Sequence, residues 1–130
     1  MIALDTSSLV AYLSNERGRD VEAVEIALAE RQACLPPAVL AELLSDPKLP
    51  SKTAALFKAL PQLAVTEGYW EWVGDLRADV LAQGRKACLM DTLIAQTCLD
   101  HDVPLITRDA DFWHFARVRP LDLLLERGSR

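Results

Sequence analysis

The sequence has no run of about eighteen apolar residues, the length a membrane-crossing helix requires. Its opening residues, MIALD, carry neither the basic segment nor the apolar stretch of a secretion signal. A soluble, intracellular protein with a cytoplasmic location and no membrane partner is therefore expected. Cysteine is scarce and odd in number. Cys34, Cys88 and Cys98 form no C-x-x-C pair and stand near no histidine at ligand spacing, which excludes a disulfide framework and leaves them as core or helix residues in a reducing compartment. The two histidines, His101 and His114, are not spaced for zinc. No G-x-x-x-x-G-K-[ST] loop, no G-x-G-x-x-G after a strand and no G-x-S-x-G elbow occurs, so P-loop, dinucleotide and serine-elbow chemistries lack their carriers. Basic residues are outnumbered, 14 to 19, and the net charge of -5 argues against holding nucleic acid by bulk electrostatics. It argues less against a nuclease, because a divalent ion inverts the local sign where a phosphate must bind, and a basic partner fits the same balance.

What is present suits one domain. A length of 130 residues with 51% hydrophobic side chains buries a core without staples, so residues 1–130 are read as a single unit with a flexible RGSR tail. Ile2 to Leu4 is a short apolar run that stops at Asp5, after which Leu9, Val10 and Leu13 take helical spacing. Gly18 and Asp20 introduce a second helix through Val21, Val24, Ala27 and Leu28, with Glu22, Glu25 and Arg31 facing water. Ala33 to Leu35 reads as a strand. Pro37 opens a helix with Val39, Leu40, Leu43 and Leu44 on its apolar side, and Ser51 caps a further helix reaching Leu60. Leu63 to Val65 is a third strand candidate. Tyr69, Trp72, Val73, Leu76, Val80 and Leu81 form a stripe running to Gly84, which assigns Trp72 a packing role. Residues 91–101 predict another helix, Val103 to Ile106 a buried strand, and the stretch from Ala116 to Leu121 a last one, with a closing helical turn at DLLLE as the alternative. Short strands separated by helices predict a three-layer α/β/α sandwich around a mostly parallel sheet.

Such sheets present functional groups at the carboxyl ends of their strands. Asp5 ends the first strand, Asp109 follows the strand at 103–106, Glu42 lies in the helix after the second strand, and Asp91 precedes or opens the helix leading back. Each has an ordinary alternative. Asp5 and Asp91 suit helix caps, Asp109 suits a turn, and Glu42 suits a partly exposed helix position, although its neighbours Ala41, Leu43 and Leu44 make a buried glutamate the costlier reading. Together they suit Mg²⁺ or Mn²⁺, whose charge relieves the repulsion among carboxylates and whose preferred ligands are hard oxygens. An ion so held activates water and stabilises the charge that develops when a phosphodiester is cleaved.

The motifs ALDTSSLVAYL, PPAVLAELL, MDTLIAQTCL and LITRDADFWHF, in this order and spacing over essentially the whole chain, resemble those of the PIN-domain ribonucleases, and among them the VapC-type toxins of toxin-antitoxin pairs. The resemblance implies a PIN-like fold and a Mg²⁺- or Mn²⁺-dependent endoribonuclease leaving a 5′-phosphate and a 3′-hydroxyl. It assigns Asp5, Glu42 and Asp91 to the metal, Asp109 to completing the pocket, and Asp111 to an additional acid. The hydroxyl of Thr6 or Ser7 supports the site, and Thr107 adds a supporting hydroxyl. Arg108 is left with three uses: substrate phosphate, neutralisation of the acids, or a carboxylate of a partner. Arg85 and Lys86 suit a phosphate contact or a solvated helix end. The resemblance also implies a homodimer and a small cognate antitoxin that alone contacts operator DNA. An RNA-processing nuclease, a structure-selective DNA nuclease, or a catalytically silent regulatory binding protein are the alternatives.

Overall fold

In the computed structural model, residues 1–124 are described. A four-stranded sheet is built from β1 (Ile2–Leu4), β2 (Ala33–Cys34), β3 (Leu105–Ile106) and β4 (Leu123–Leu124), in the order β2-β1-β3-β4, with every pair parallel. Parallel neighbours need crossovers, and helices supply them. The helices are α1 (Thr6–Leu13), α2 (Arg19–Ala29), α3 (Pro37–Leu44), α4 (Ser51–Ala59), α5 (Tyr69–Ala82), α6 (Leu89–His101) and the short α7 (Trp113–Ala116). α1 packs on α2, α5 packs on α6 and α7, and α3 bridges α6, α4 and α1. The result is the expected three-layer sandwich. Leu4, Leu105 and Ile106 from the strands meet Leu76, Val80, Ile94, Phe112 and Phe115 in a continuous core, all at most 1% exposed.

Some boundaries differ from the sequence reading. At 63–65 no strand forms. The amide of Leu63 reaches the carbonyl of Leu35 at 2.9 Å beside an isolated bridge, but Ala64 and Val65 are exposed, and the Ala64 carbonyl meets a His101 ring nitrogen at 2.7 Å instead of a strand. The last strand lies beyond 116–121. Trp113–Ala116 is helical, Pro120 has no amide to donate, and the chain pairs with β3 at Leu123–Leu124. Those two residues are extended, which also removes the helical-turn alternative there, whereas Leu125 onward and the RGSR tail lie outside the described residues. Ser51 is the first residue of α4 and not its cap, the N-cap position being Pro50.

α5 also runs in a different phase. Its buried stripe is Tyr69, Val73, Leu76 and Val80, so Trp72 falls off it and is 54% exposed, lying against Gly68. Gly68 is in the left-handed region at φ 80°, and a Cβ there would come within 3.1 Å of the Trp72 Nε1.

Candidate active site

β1 and β3 are neighbours and parallel, so the residues that follow them emerge at the same edge. Asp5 and Thr107 do so. Asp5 is buried, and its Oδ2 accepts hydrogen bonds from the hydroxyls of Ser7 and Thr107, each at 2.7 Å. Burial raises its pKa; hydrogen bonds from Ser7, Thr107 and the Thr6 amide oppose that, and the charge of Asp109 adds to it, leaving the net shift upward.

α6 begins at Leu89, earlier than the sequence suggested, with Cys88 at its N-cap. The Cys88 sulfur accepts from the Asp91 amide at 3.5 Å, so Asp91 sits inside the first turn and its carboxylate is free of capping. Its pKa is pushed up to about 6, first by burial and then by the charges of Asp109 and Asp5, with Asp111 adding less. Asp109 does begin a turn. Its Oδ1 accepts from the Asp111 amide at 2.9 Å, and its own amide donates to Thr107 Oγ1 at 3.0 Å. Asp91, Asp109 and Asp111 line one hollow of about 610 Å³.

Glu42 is placed differently. It is exposed, so the argument from a costly burial does not hold, and α3 turns its buried side through Val39 and Leu43. It lines a separate hollow of about 230 Å³ with Thr6, Val10 and Leu13. Thr6 connects the two: its hydroxyl donates to Glu42 Oε1 at 2.5 Å, and it is the residue next to Asp5. Among the described residues, Glu42 and the pair Asp91 and Asp109 thus line different hollows, with Thr6 between Glu42 and Asp5.

Arg108 leaves the acids too. Its Nε and Nη2 grip the buried Asp20 at 2.8 and 3.1 Å, its Nη1 meets Glu16 at 2.8 Å, and Nη2 also reaches the Arg17 carbonyl at 3.1 Å. None of these bonds goes to Asp5, Asp91, Asp109 or Asp111. They use four of the five guanidinium N–H donors and leave one on Nη1 for a phosphate or a partner's carboxylate. Ser8 adds a 2.8 Å hydrogen bond to Asp20. Burial would raise the Asp20 pKa, but the Arg108 and Ser8 hydrogen bonds and the guanidinium charge outweigh it and hold it below the usual carboxylate range.

Asp20 and Glu16 were not legible as partners of Arg108, because pairings across 88 and 92 residues leave no local pattern. Lys86 is exposed on the rim of the larger hollow. Arg85 is half-buried, and its Nε has no hydrogen-bond partner among the described residues.

Among the described residues, no three His, Cys, Asp or Glu side chains stand close enough to enclose an ion. Mg²⁺, however, keeps several waters and takes one or two protein carboxylates. A pair drawn from Asp5, Asp91 and Asp109 supplies the hard oxygens it needs, and the charges acting most strongly on Asp91 are all acidic, so a cation has repulsion to relieve there.

The chain is similar to several solved structures. VapBC2 from Rickettsia felis, bound to a DNA fragment from its promoter, superposes with a TM-score of 0.74 at 21% identity, covering 97% of this chain and 99% of that one. FitAcB from Neisseria gonorrhoeae gives 0.68 at 19%, covering 95% and 96%. VapBC-5 from Mycobacterium tuberculosis, a member of the VapBC family of toxin-antitoxin systems, gives 0.61 at 21%, covering 97% of each. At these identities the likeness speaks to the fold. No curated protein matches the sequence. The PIN domain family matches residues 2–118, nearly the whole chain, and the protein belongs to that family.

Proposed function

We propose that the protein is a metal-dependent endoribonuclease and the toxin of a toxin-antitoxin pair. The observation that carries this reading is the meeting of Asp5, Asp91 and Asp109 at the carboxyl edge of a parallel sheet, where the charge of one raises the pKa of another. Membership of the PIN family supports nuclease chemistry. The structural neighbours described as VapBC and FitAB complexes, some holding DNA, support a small antitoxin partner through which operator DNA is reached.

Asp5 and Asp91, with Asp109 beside them, would hold Mg²⁺ or Mn²⁺. The bound ion supplies an acidified water and a positive charge that stabilises the transition state of phosphodiester cleavage. The chain's own residues prepare the ligands. Ser7 and Thr107 fix Asp5 Oδ2 from two sides. The Asp111 amide holds one oxygen of Asp109, which sets the direction of the other. Thr107 spends its hydroxyl proton on Asp5 Oδ2 and its oxygen on the Asp109 amide, so its part is to support these two acids. Glu42 and Thr6 extend the acidic edge toward α3, and Asp111 lines the same hollow as Asp91.

The test is purified protein on total RNA with Mg²⁺ or Mn²⁺, followed by end mapping, with Asp91→Asn in parallel. Cleavage leaving 5′-phosphates and lost in the variant is the expected result. A wild type that cuts only DNA would move the reading to a structure-selective nuclease, and one that cuts nothing while binding its partner would move it to a silent regulatory protein.

A further inference from the structure

The hollow beside Asp91 is lined by side chains of both signs. Asp91, Asp109 and Asp111 contribute the acids, and Arg77 and Lys86 the bases. Arg77 projects from α5 one residue past the buried Leu76, so it is half-buried and faces the hollow from the helix side. Its Nε donates to the carbonyl of Ala87 at 2.7 Å. A His114 ring nitrogen meets the carbonyl of the adjacent Lys86 at 3.0 Å, so this short segment is held from two sides.

A guanidinium has five N–H donors in a fixed fork, and the anchor to Ala87 uses one. Arg77 forms no ion pair with Asp91, Asp109 or Asp111, and no other carboxylate among the described residues takes it. An oriented arginine with spare donors, facing acids it does not neutralise, is arranged for an anion from outside the chain. At about 610 Å³ the hollow is of a size that takes a small ligand or a nucleotide unit.

We propose that Arg77, with Lys86 beside it, is a phosphate-binding residue that takes a backbone phosphate of single-stranded RNA next to the one facing the acids. The proposal rests on the nuclease reading. It divides the labour of the hollow: the acids handle the bond to be cut, and the bases set the register of the strand. The preset guanidinium accounts for phosphate capture by a protein whose overall charge is -5.

The test is equilibrium binding of a short fluorescent single-stranded RNA across a NaCl series, with calcium in place of magnesium to slow hydrolysis. Loss of one phosphate contact makes the slope of log affinity against log salt shallower by about 0.7, and weakens binding by about tenfold at low salt. Arg77→Gln should show both effects, and Arg77→Lys should keep the slope. Arg31→Gln, next to Gln32 at the amino end of the sheet, should match the wild type.

An Arg77→Gln protein with wild-type slope and affinity overturns the proposal. So does weaker binding with the slope unchanged, which is what a purely structural arginine would give. If Arg77→Gln does not fold, Lys86→Gln carries the test, because Lys86 is exposed, and an unchanged slope there overturns it. A wild type that binds no RNA removes the nuclease reading and this site together, whereas binding unaffected by these variants removes this site alone.

Discussion

Asp91 is a carboxylate whose strongest neighbours are also carboxylates, in a half-buried position on the first turn of α6. Its pKa of about 6 in the folded protein stands above the value of about 3.9 in an unfolded chain. Between these two pH values the folded state holds the proton more tightly, so the stability it contributes is fully present below about pH 4 and falls away as pH climbs through 6. The loss attributable to Asp91 is at most about 3 kcal/mol. Asp91→Asn should remove it, leaving the smaller slope due to Asp5, whose pKa is also raised. Urea midpoints of the two proteins at pH 4, 5, 6 and 7 provide the measurement, and parallel curves would contradict the assignment. The same proton opposes metal: Mn²⁺ affinity, read by calorimetry, should weaken as pH falls below 6, because binding must then expel it.

The elements are joined at the site edge by the Arg108 and Asp20 pair, which fastens the start of α2 to the end of β3. Removing one partner of a buried pair strands the other. The Arg108 and Glu16 side chains are 30% and 53% exposed, so solvent takes part of that charge, and Asp20→Ala should cost about 2–3 kcal/mol in a denaturant melt. Because the Asp20 pKa is lowered, its contribution is present above about pH 4 and lost as pH falls, the reverse of Asp91. Gly18→Ala should be similarly damaging: the position has φ 151°, and a Cβ would lie 2.5 Å from Asp20 Oδ1. A Gly18→Ala protein as stable as the wild type would show that this corner is not tight. The sequence disclosed the elements around this pair better than the pair itself. At Asp5 and Asp109 a change from a buried run to helical or turn spacing marks a strand end, and such a change is local. α3 is apolar on so many sides, with Leu44 exposed beside the buried Leu43, that spacing did not say which way Glu42 turns. In α5 the stripe took in both Tyr69 and Trp72, and packing against α6, where the Tyr69 hydroxyl reaches the Leu93 carbonyl at 2.7 Å, buried only the tyrosine.

For the whole molecule, metal and self-association are measurable without RNA. With a dissociation constant of about 1 mM, about 10 mM Mg²⁺ would stabilise the folded wild type by about 1.4 kcal/mol, and Asp91→Asn should lack most of that gain in matched melting curves. Light scattering should give twice the 14.4 kDa of one chain if the protein is the expected homodimer; 14.4 kDa throughout the micromolar range would remove that expectation and leave the site untouched. The apolar side chains that stand in water, among them Val10, Leu13, Trp70 and Leu89, are available to such contacts. Finally, the three thiols are distributed unequally: Cys34 and Cys98 are buried, whereas Cys88 is exposed at the cap of α6 and lines the hollow with Asp91. A colorimetric thiol reagent should therefore titrate one group per native chain and three in denaturant, and a native count of three would contradict the packing. The rate at which the single group reacts then becomes a clock for the site, slowed by whatever enters the hollow, so occupancy is readable in a protein that has never been given a substrate to cut.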